Sequence, residues 1–452
     1  MFQRNAISAL HDWKEKINRK PLIIRGARQV GKTTLVNEFA KEFDTYLHLN
    51  LEKSAAKELF EKNDAIEDVL TAIYLFLNKS KKKGSVLLFI DEIQNSTRAV
   101  SLLRYFYEEL PQIYVIGAGS LLESLIDRQI HFPVGRVEYL ALRPCSFCEF
   151  LGALGENEIL KTIETASLPS SIHERVMKLF NEYVLVGGMP EAVAFYAQTK
   201  DLVSLNSIYE TLLTGYKDDT EKYALNRNSE YVIRHILTYG WQYAGQRIKY
   251  EKFANSNYKS REVSEAMHTL EKALLIELSY PTTSSAIPIQ PNLKKSPKLL
   301  WLDTGLVNYS AGLQKELFGI KDISGSWKGK IAEHVVGQEL LSLSTKVSTK
   351  RFFWVREAKN SQAEIDFVFQ FDGQLIPIEV KSGNCSTLKS LHSFMESSTQ
   401  DIAIRFWNNP ATQDLITLPS GKKYTLYNLP FYYAGQLDAF LKAGYVKHFS
   451  YR

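Results

Sequence analysis

Gly26-Ala27-Arg28-Gln29-Val30-Gly31-Lys32-Thr33, followed by Thr34, satisfies the pattern G-x-x-x-x-G-K-[ST] at every position. The chemistry such a stretch can do is phosphate binding. Two glycines let successive backbone N–H groups curl around an anion, and a following helix adds its N-terminal dipole. The lysine reaches the β- and γ-phosphates of a nucleoside triphosphate, and the hydroxyl beside it ligates Mg²⁺. A chance glycine-rich turn is the alternative. The context disfavours it, because the apolar run "PLIIRG" (21–26) predicts a strand before the loop and a helix follows it.

A second set of residues completes that chemistry. In "SVLLFIDE" (85–92), Asp91 ends an apolar strand and is placed to hold Mg²⁺ through water, while Glu92 can polarise an attacking water. Without Glu92 the pattern would fit a kinase or a GTPase-like switch. With it, water is the nucleophile and the cofactor is read as ATP with Mg²⁺. Ser120, after "IYVIGAG" (113–119), has two open roles, sensing the γ-phosphate or capping a helix. Arg136 in "PVGRVEYLAL" also has two. It can stabilise transition-state charge on a γ-phosphate, in cis or in trans, or it can form a surface ion pair.

The far end of the chain carries another pattern. In "AEIDFVFQFDGQLIPIEVKSG" (363–383), Asp366 is followed by Glu379-x-Lys381, the D…(D/E)-x-K arrangement of restriction-endonuclease-like folds. Glu379 and Lys381, two apart on one strand, share a face, and Asp366 on the preceding strand can meet them across the hairpin. Two carboxylates at one point make a hard oxygen site for a divalent cation, with the lysine serving a water. Glu333, on a helix ahead of the strands, resembles the extra helix carboxylate of that fold. Charges alternating on an edge hairpin are the ordinary alternative. Burial of "LIPIEVKS" argues against it, since charges there are costly without a task.

The elements that must position these groups follow from periodicity. The runs at 21–26, 45–51, 85–92 and 113–119 predict buried strands of parallel βαβ units. A mainly helical stretch follows, punctuated by Gly187, Gly188 and Pro190. Val263, Ala266, Met267, Leu270 and Ala273 fall on one helical face ahead of strand-like "LLIELSY", as in a small helical module with a β-wing. Lys259, Ser260, Arg261 and Glu262 would then face a DNA groove, or the module only packs the two ends together. The spans expected are 1–155 for the ATPase domain, 156–228 for a helical linker or lid, 229–325 for the winged-helix-like module and 326–452 for the nuclease-like domain. The fold class is a multidomain α/β protein.

The totals set limits rather than a function. The chain has 452 residues, with 55 Lys+Arg against 50 Asp+Glu, too mild a surplus to imply nucleic-acid binding by itself. Three cysteines (Cys145, Cys148, Cys385) fit a reducing compartment. Cys145-x-x-Cys148 lacks a second pair, so two small half-buried side chains are expected there rather than zinc or redox chemistry. No apolar leader or membrane span is visible, and a cytoplasmic protein is expected.

Together "GARQVGKTT", "FIDEIQ", "GAGSLLE", "VGR", "LRPCSFCEF", "VGGMPEAV" and "LLWLDTGLVN" resemble a widespread prokaryotic AAA-type ATPase family with a C-terminal domain of unknown function. The resemblance implies an ATPase core, a winged-helix-like middle and a restriction-endonuclease-like, PD-(D/E)xK end; it supplies no substrate. The cysteines of "PCSFCEF" depart from the family pattern. The expected function is an ATP-hydrolysing protein acting on DNA, with homo-oligomers possible. The alternative is a nucleotide-controlled signalling or defence switch whose C-terminal fold is a non-catalytic scaffold.

Overall fold

The computed structural model describes residues 2–63, 65–119, 135–219, 224, 226–312, 326–357, 363–381 and 388–442. Ser120 lies outside them.

Five strands, β1 (Leu22–Arg25), β2 (Thr45–Asn50), β3 (Val86–Asp91), β4 (Ile113–Gly119) and β5 (Glu138–Ala141), form one parallel sheet in the order β2-β3-β4-β1-β5. Each of the four strands expected from an apolar run is present. Every residue of β3 is buried, as a strand covered on both faces requires. Alternation along it feeds two cores: Leu87 and Phe89 join one apolar cluster, Leu88 and Ile90 the other. Because all strands run the same way, their C-terminal ends share one edge, where open parallel sheets collect ligands.

Helices at Phe147–Leu154, Asn157–Glu164, His173–Val186, Pro190–Thr199 and Leu205–Asp218 follow. Gly187 ends the third with φ +67°, and Pro190 opens the fourth. Beyond them, helices Arg227–Tyr239 and Ser260–Lys272 pack together ahead of an antiparallel pair, β6 (Ile276–Ser279) and β8 (Lys298–Trp301). Val263, Ala266, Met267 and Leu270 are buried on the face that their spacing predicts.

The last sheet is mixed. Its strands are β7 (Pro281–Thr282), β9 (Phe352–Val355), β10 (Glu364–Phe371), β11 (Gln374–Val380), β12 (Ile402–Trp407), β13 (Thr412–Thr417) and β14 (Lys423–Pro430), in the order β13-β14-β12-β11-β10-β9-β7. β9, β10 and β11 pair antiparallel, while β11 pairs parallel with β12. Asp372 and Gly373, both at positive φ, make the tight β10–β11 turn. Edge strand β7 comes from before residue 326, and one apolar core runs from Ala6 to Leu441. The parts therefore share buried surface instead of standing as separate beads. Among the described residues, no helix is long and apolar enough to cross a membrane.

Candidate functional site

The loop between β1 and helix Lys32–Phe39 has the shape that its glycines allow. A Cβ on Gly26 would lie 2.6 Å from Leu142 O, and Gly31 stands at φ +91° as the N-cap. Gln29 also has positive φ. Ala27 and Val30 are buried below the loop, while Thr34 points outward from the helix.

Lys32 is buried, and its ammonium donates to Gly26 O (3.1 Å) and Ala27 O (2.9 Å) of its own loop. Burial lowers its pKa, opposed by the nearby charges of Glu92 and Asp91. A desolvated cation poised on weak carbonyl partners fits a phosphate site. The Thr33 hydroxyl donates to Asp91 Oδ2 at 2.7 Å. Burial alone would raise the Asp91 pKa, but neighbouring His48 and the Thr33 hydroxyl hold it below the ordinary carboxylate range. His48 Nε2 is 3.9 Å from Asp91 Oδ2, beyond a direct hydrogen bond. Glu92 sits in the left-handed region at φ 51°, ψ 44°, its carboxylate accepting from Gln94. A non-glycine residue held there marks a backbone bent to aim a side chain.

Three residues that the pattern of the loop did not reveal secure it. Arg4 donates to Val30 O (3.0 Å), Arg143 O (2.7 Å) and Glu149 Oε1 (2.9 Å). Arg28 pairs with Asp219, and Tyr216 donates to Arg28 O at 3.1 Å. Arg4 reaches Val30 across 26 residues, and the other contacts bridge more than a hundred, so no local signal announces them.

Arg136 is not brought to the loop of its own chain. It precedes β5, whose first residue Glu138 pairs with Leu22 at the start of β1, so it stands at the opposite edge of the sheet. There its Nε lies 3.1 Å from Glu108 Oε1. Of the roles left open for it, this placement displays the surface ion pair, and strand direction separates it from the phosphate loop of its own chain. Cys145 and Cys148 are free and buried, and burial pushes both thiols upward.

At the other end, a β-bulge shapes the arrangement. Asp366 and Phe367 together oppose Phe353 between the pairs Ile365–Trp354 and Val368–Phe352. The extra residue re-aims Asp366, whose Oδ2 accepts from Val380 N at 2.7 Å. That places it beside Glu379, one step beyond the paired residues Phe367 and Ile378. Glu379 is 3% exposed, pairs with Lys381 through Oε1, and leaves Oε2 without a hydrogen-bond partner among the described residues. Burial, with the charge of Asp366, raises its pKa to about 7. For Lys381 burial acts downward, but Glu379 and Asp366 leave its pKa raised.

Glu333 reaches the same place but turns to a partner that sequence reading missed. Lys298, at the start of β8, donates to Glu333 Oε1 at 2.6 Å. Its Nζ also stands 2.9 Å from Glu364 Oε1 and 4.0 Å from Asp366 Oδ1. Burial raises the Glu333 pKa to about 8, with Lys298 opposing. The oxygen donors are hard ones suited to Mg²⁺ or Mn²⁺. Among the described residues, however, no three carboxylate, imidazole or thiol groups converge as a ready coordination shell. Lys259 and Arg261 open helix Ser260–Lys272; Arg261 is paired with Glu265, which thins the cationic face expected there.

Residues 18–151 match a family model described as an AAA domain. Residues 177–317 and 328–428 match two domains of unknown function (DUF8612 and DUF4143). No curated protein matches the chain. Among solved structures it is similar to the Walker-type ATPase PABY2304 of Pyrococcus abyssi, at 15% identity and TM-score 0.45, over 69% of this chain and 96% of that one. It is also similar to the Aeropyrum pernix ORC1 protein in complex with DNA (12%, TM-score 0.28, 70% and 93%) and to the Thermotoga maritima RuvB Holliday junction branch migration motor (16%, 0.27, 62% and 90%). Scores this low define no common arrangement. The N-terminal part of the chain is thus an AAA-type P-loop ATPase domain that binds nucleotide, joined to a mixed C-terminal sheet.

Proposed function

We propose that the protein hydrolyses ATP and that its C-terminal domain is a PD-(D/E)xK-type, metal-dependent nucleic-acid domain acting on DNA. The observation that carries the first half is the convergence of Lys32, Thr33, Asp91 and Glu92 at one edge of the parallel sheet. Lys32 leaves its loop carbonyls for the β- and γ-phosphates. Thr33 and Asp91 would hold Mg²⁺, which when bound neutralises charge on the phosphate oxygens. Glu92 accepts a proton from the attacking water as the bond from the γ-phosphorus to the bridging oxygen breaks. Arg136 meets that charge from a neighbouring copy, since its own sheet holds it away; Ser120 is kept as a candidate γ-phosphate sensor. Steady-state ATP hydrolysis by Glu92→Gln tests this half.

The second half is supported by element order. Helix Ser326–Ser342 is followed by antiparallel β9, β10 and β11, then by helix Lys389–Ser397 and parallel β12. Asp366 lies on a bulge beside Glu379 and Lys381, and Glu333 lies on the preceding helix. The helix pair with the antiparallel strands β6 and β8 reads as a winged-helix-like module that would bring DNA close. Buried free thiols accord with a cytoplasmic setting. Nicking of plasmid DNA in Mg²⁺ or Mn²⁺ tests this half. The seating of Lys298 among the carboxylates favours the second reading, a nucleotide-controlled switch whose C-terminal domain binds without cutting.

A further inference from the structure

We infer that the Lys298 ammonium, from its seat on β8, stands in the cation position of the C-terminal carboxylate site and keeps that site closed to divalent metal. This deepens the reading of Asp366 and Glu379 as a metal site, and rests on it.

Lys298 does not belong to the sheet that carries the site. It opens β8, held by β6 on one side and by residues 244–247 on the other, where Leu299 N donates to Gln246 O at 2.9 Å. From that separate element its Nζ reaches carboxylates of two others: Glu333 on the helix, and Glu364 and Asp366 on β10. The residue is 2% exposed. A lysine is buried so deeply only where opposite charge meets it. The face of Phe353, 4.7 Å from Nζ, covers the ammonium further.

Counting groups shows what the lysine replaces. Glu333, Glu364, Asp366 and Glu379 are four carboxyl groups around two ammonium groups, Lys298 and Lys381. Arg247 stands at the rim, 3.7 Å from Glu364 Oε2. Without Lys298 a single ammonium faces four carboxyl groups, a shortfall of positive charge that a divalent cation would offset. Independently of the lysine, Glu379 Oε2 is buried with no hydrogen-bond partner among the described residues, a hard donor left over in the same cluster. An ammonium and a divalent ion both want these oxygens, but only one can have them.

The test uses the full-length protein and Mn²⁺ alone, followed by calorimetric titration. Wild type should bind weakly, and Lys298→Met, which keeps the bulk and drops the charge, should bind at least about tenfold more tightly. Lys298→Arg, which keeps the charge, should bind as weakly as wild type. Adding Asp366→Asn to Lys298→Met should abolish the gain. If Lys298→Met binds no better than a wild type that itself binds tightly and loses binding on Asp366→Asn, the metal site stands and the occlusion by Lys298 is wrong. If neither protein binds, the metal-site reading falls and takes this inference with it. Should the uncompensated carboxylates unfold Lys298→Met, Mn²⁺ should restore its melting transition while leaving wild type unmoved; no restoration overturns the inference.

Discussion

The Thr33 hydroxyl donates to Asp91 Oδ2 across 2.7 Å, tying together residues 58 apart in sequence. The bond exists because β1 and β3 run parallel and end on the same edge, one leading into the phosphate loop and the other into Asp91. The polar groups proposed to take metal and phosphate are thus already held together, with Glu92 at a left-handed backbone position next to Asp91. Preorganisation of this kind lowers the cost of ordering the site on binding.

Removing Glu92's charge while keeping its shape should separate binding from turnover. Glu92→Gln should bind ATP as well as wild type and hydrolyse it about 10²-fold or more slowly, the usual worth of a positioned base. Lys32→Ala should instead weaken nucleotide binding, because a buried point charge is withdrawn from the phosphates. Turnover and equilibrium binding of a fluorescent ATP analogue, measured side by side, check both. Hydrolysis by Glu92→Gln at the wild-type rate would assign the base elsewhere.

Arg136 predicts an oligomeric requirement. Its pairing with Glu108 is exposed and worth little to stability, so Arg136→Ala should fold normally. If it acts in trans, turnover should fall by about 10³-fold with nucleotide affinity nearly intact. Mixing Arg136→Ala with Glu92→Gln should recover part of the activity, since some interfaces then pair an intact base with an intact arginine. A monomer in sedimentation with full turnover would end the trans role.

The proposed nucleotide site could be read from the sequence because its pattern is local. A glycine loop between a strand and a helix, and an acidic pair ending an apolar strand, are each compact strings. The strand order was not legible, since nothing in the string places β1 between β4 and β5. The same blindness left the place of Arg136 open between its own loop, a neighbouring copy and a surface ion pair, and β5 sets it across the sheet from the loop. At the C-terminal end, Asp366, Glu379 and Lys381 were readable from the hairpin. The bulge that aims Asp366 was not, because "EIDFVFQ" reads as one continuous strand with no Gly or Pro to mark a break. Lys298 and Arg4 act through contacts far apart in the chain, and single-sequence periodicity carries no trace of such pairings.

Asp366→Asn should lower divalent-metal affinity, most visibly once Lys298 is replaced, and should abolish any cleavage while leaving ATP hydrolysis unchanged. Two crowded carboxylates repel, and a shared cation relieves the repulsion. Lys381→Ala should keep the metal and lose the cleavage, because the lysine serves the water rather than the ion. Plasmid nicking in Mn²⁺, run with calorimetry on the same preparations, distinguishes these outcomes. DNA binding without cleavage in Mg²⁺ or Mn²⁺ across the series would favour the scaffold reading.

Glu339 should make the fold less stable as pH rises toward neutrality. Its carboxylate is 1% exposed and accepts from Phe147 N (3.0 Å) and the Tyr183 hydroxyl (2.7 Å), joining helix Ser326–Ser342 to helix Phe147–Leu154. Burial is the main cause that raises its pKa to about 7; the two hydrogen bonds act downward, and nearby Glu149 adds to the rise. Below its ordinary pKa of 4.5 the group is protonated both folded and unfolded, and it contributes no slope. Between 4.5 and about 7 the folded protein keeps a proton that the unfolded chain releases, so stability falls as pH rises, and the slope ends above the folded value. The loss at pH 8 relative to pH 4.5 is on the order of 3 kcal/mol at most. Glu339→Gln retains an acceptor for both donors and cannot ionise. Its unfolding free energy in denaturant should therefore drop less than that of wild type between pH 5 and 8. Equal drops in the two proteins would show that Glu339 ionises in the fold without penalty, and that the pH dependence arises elsewhere.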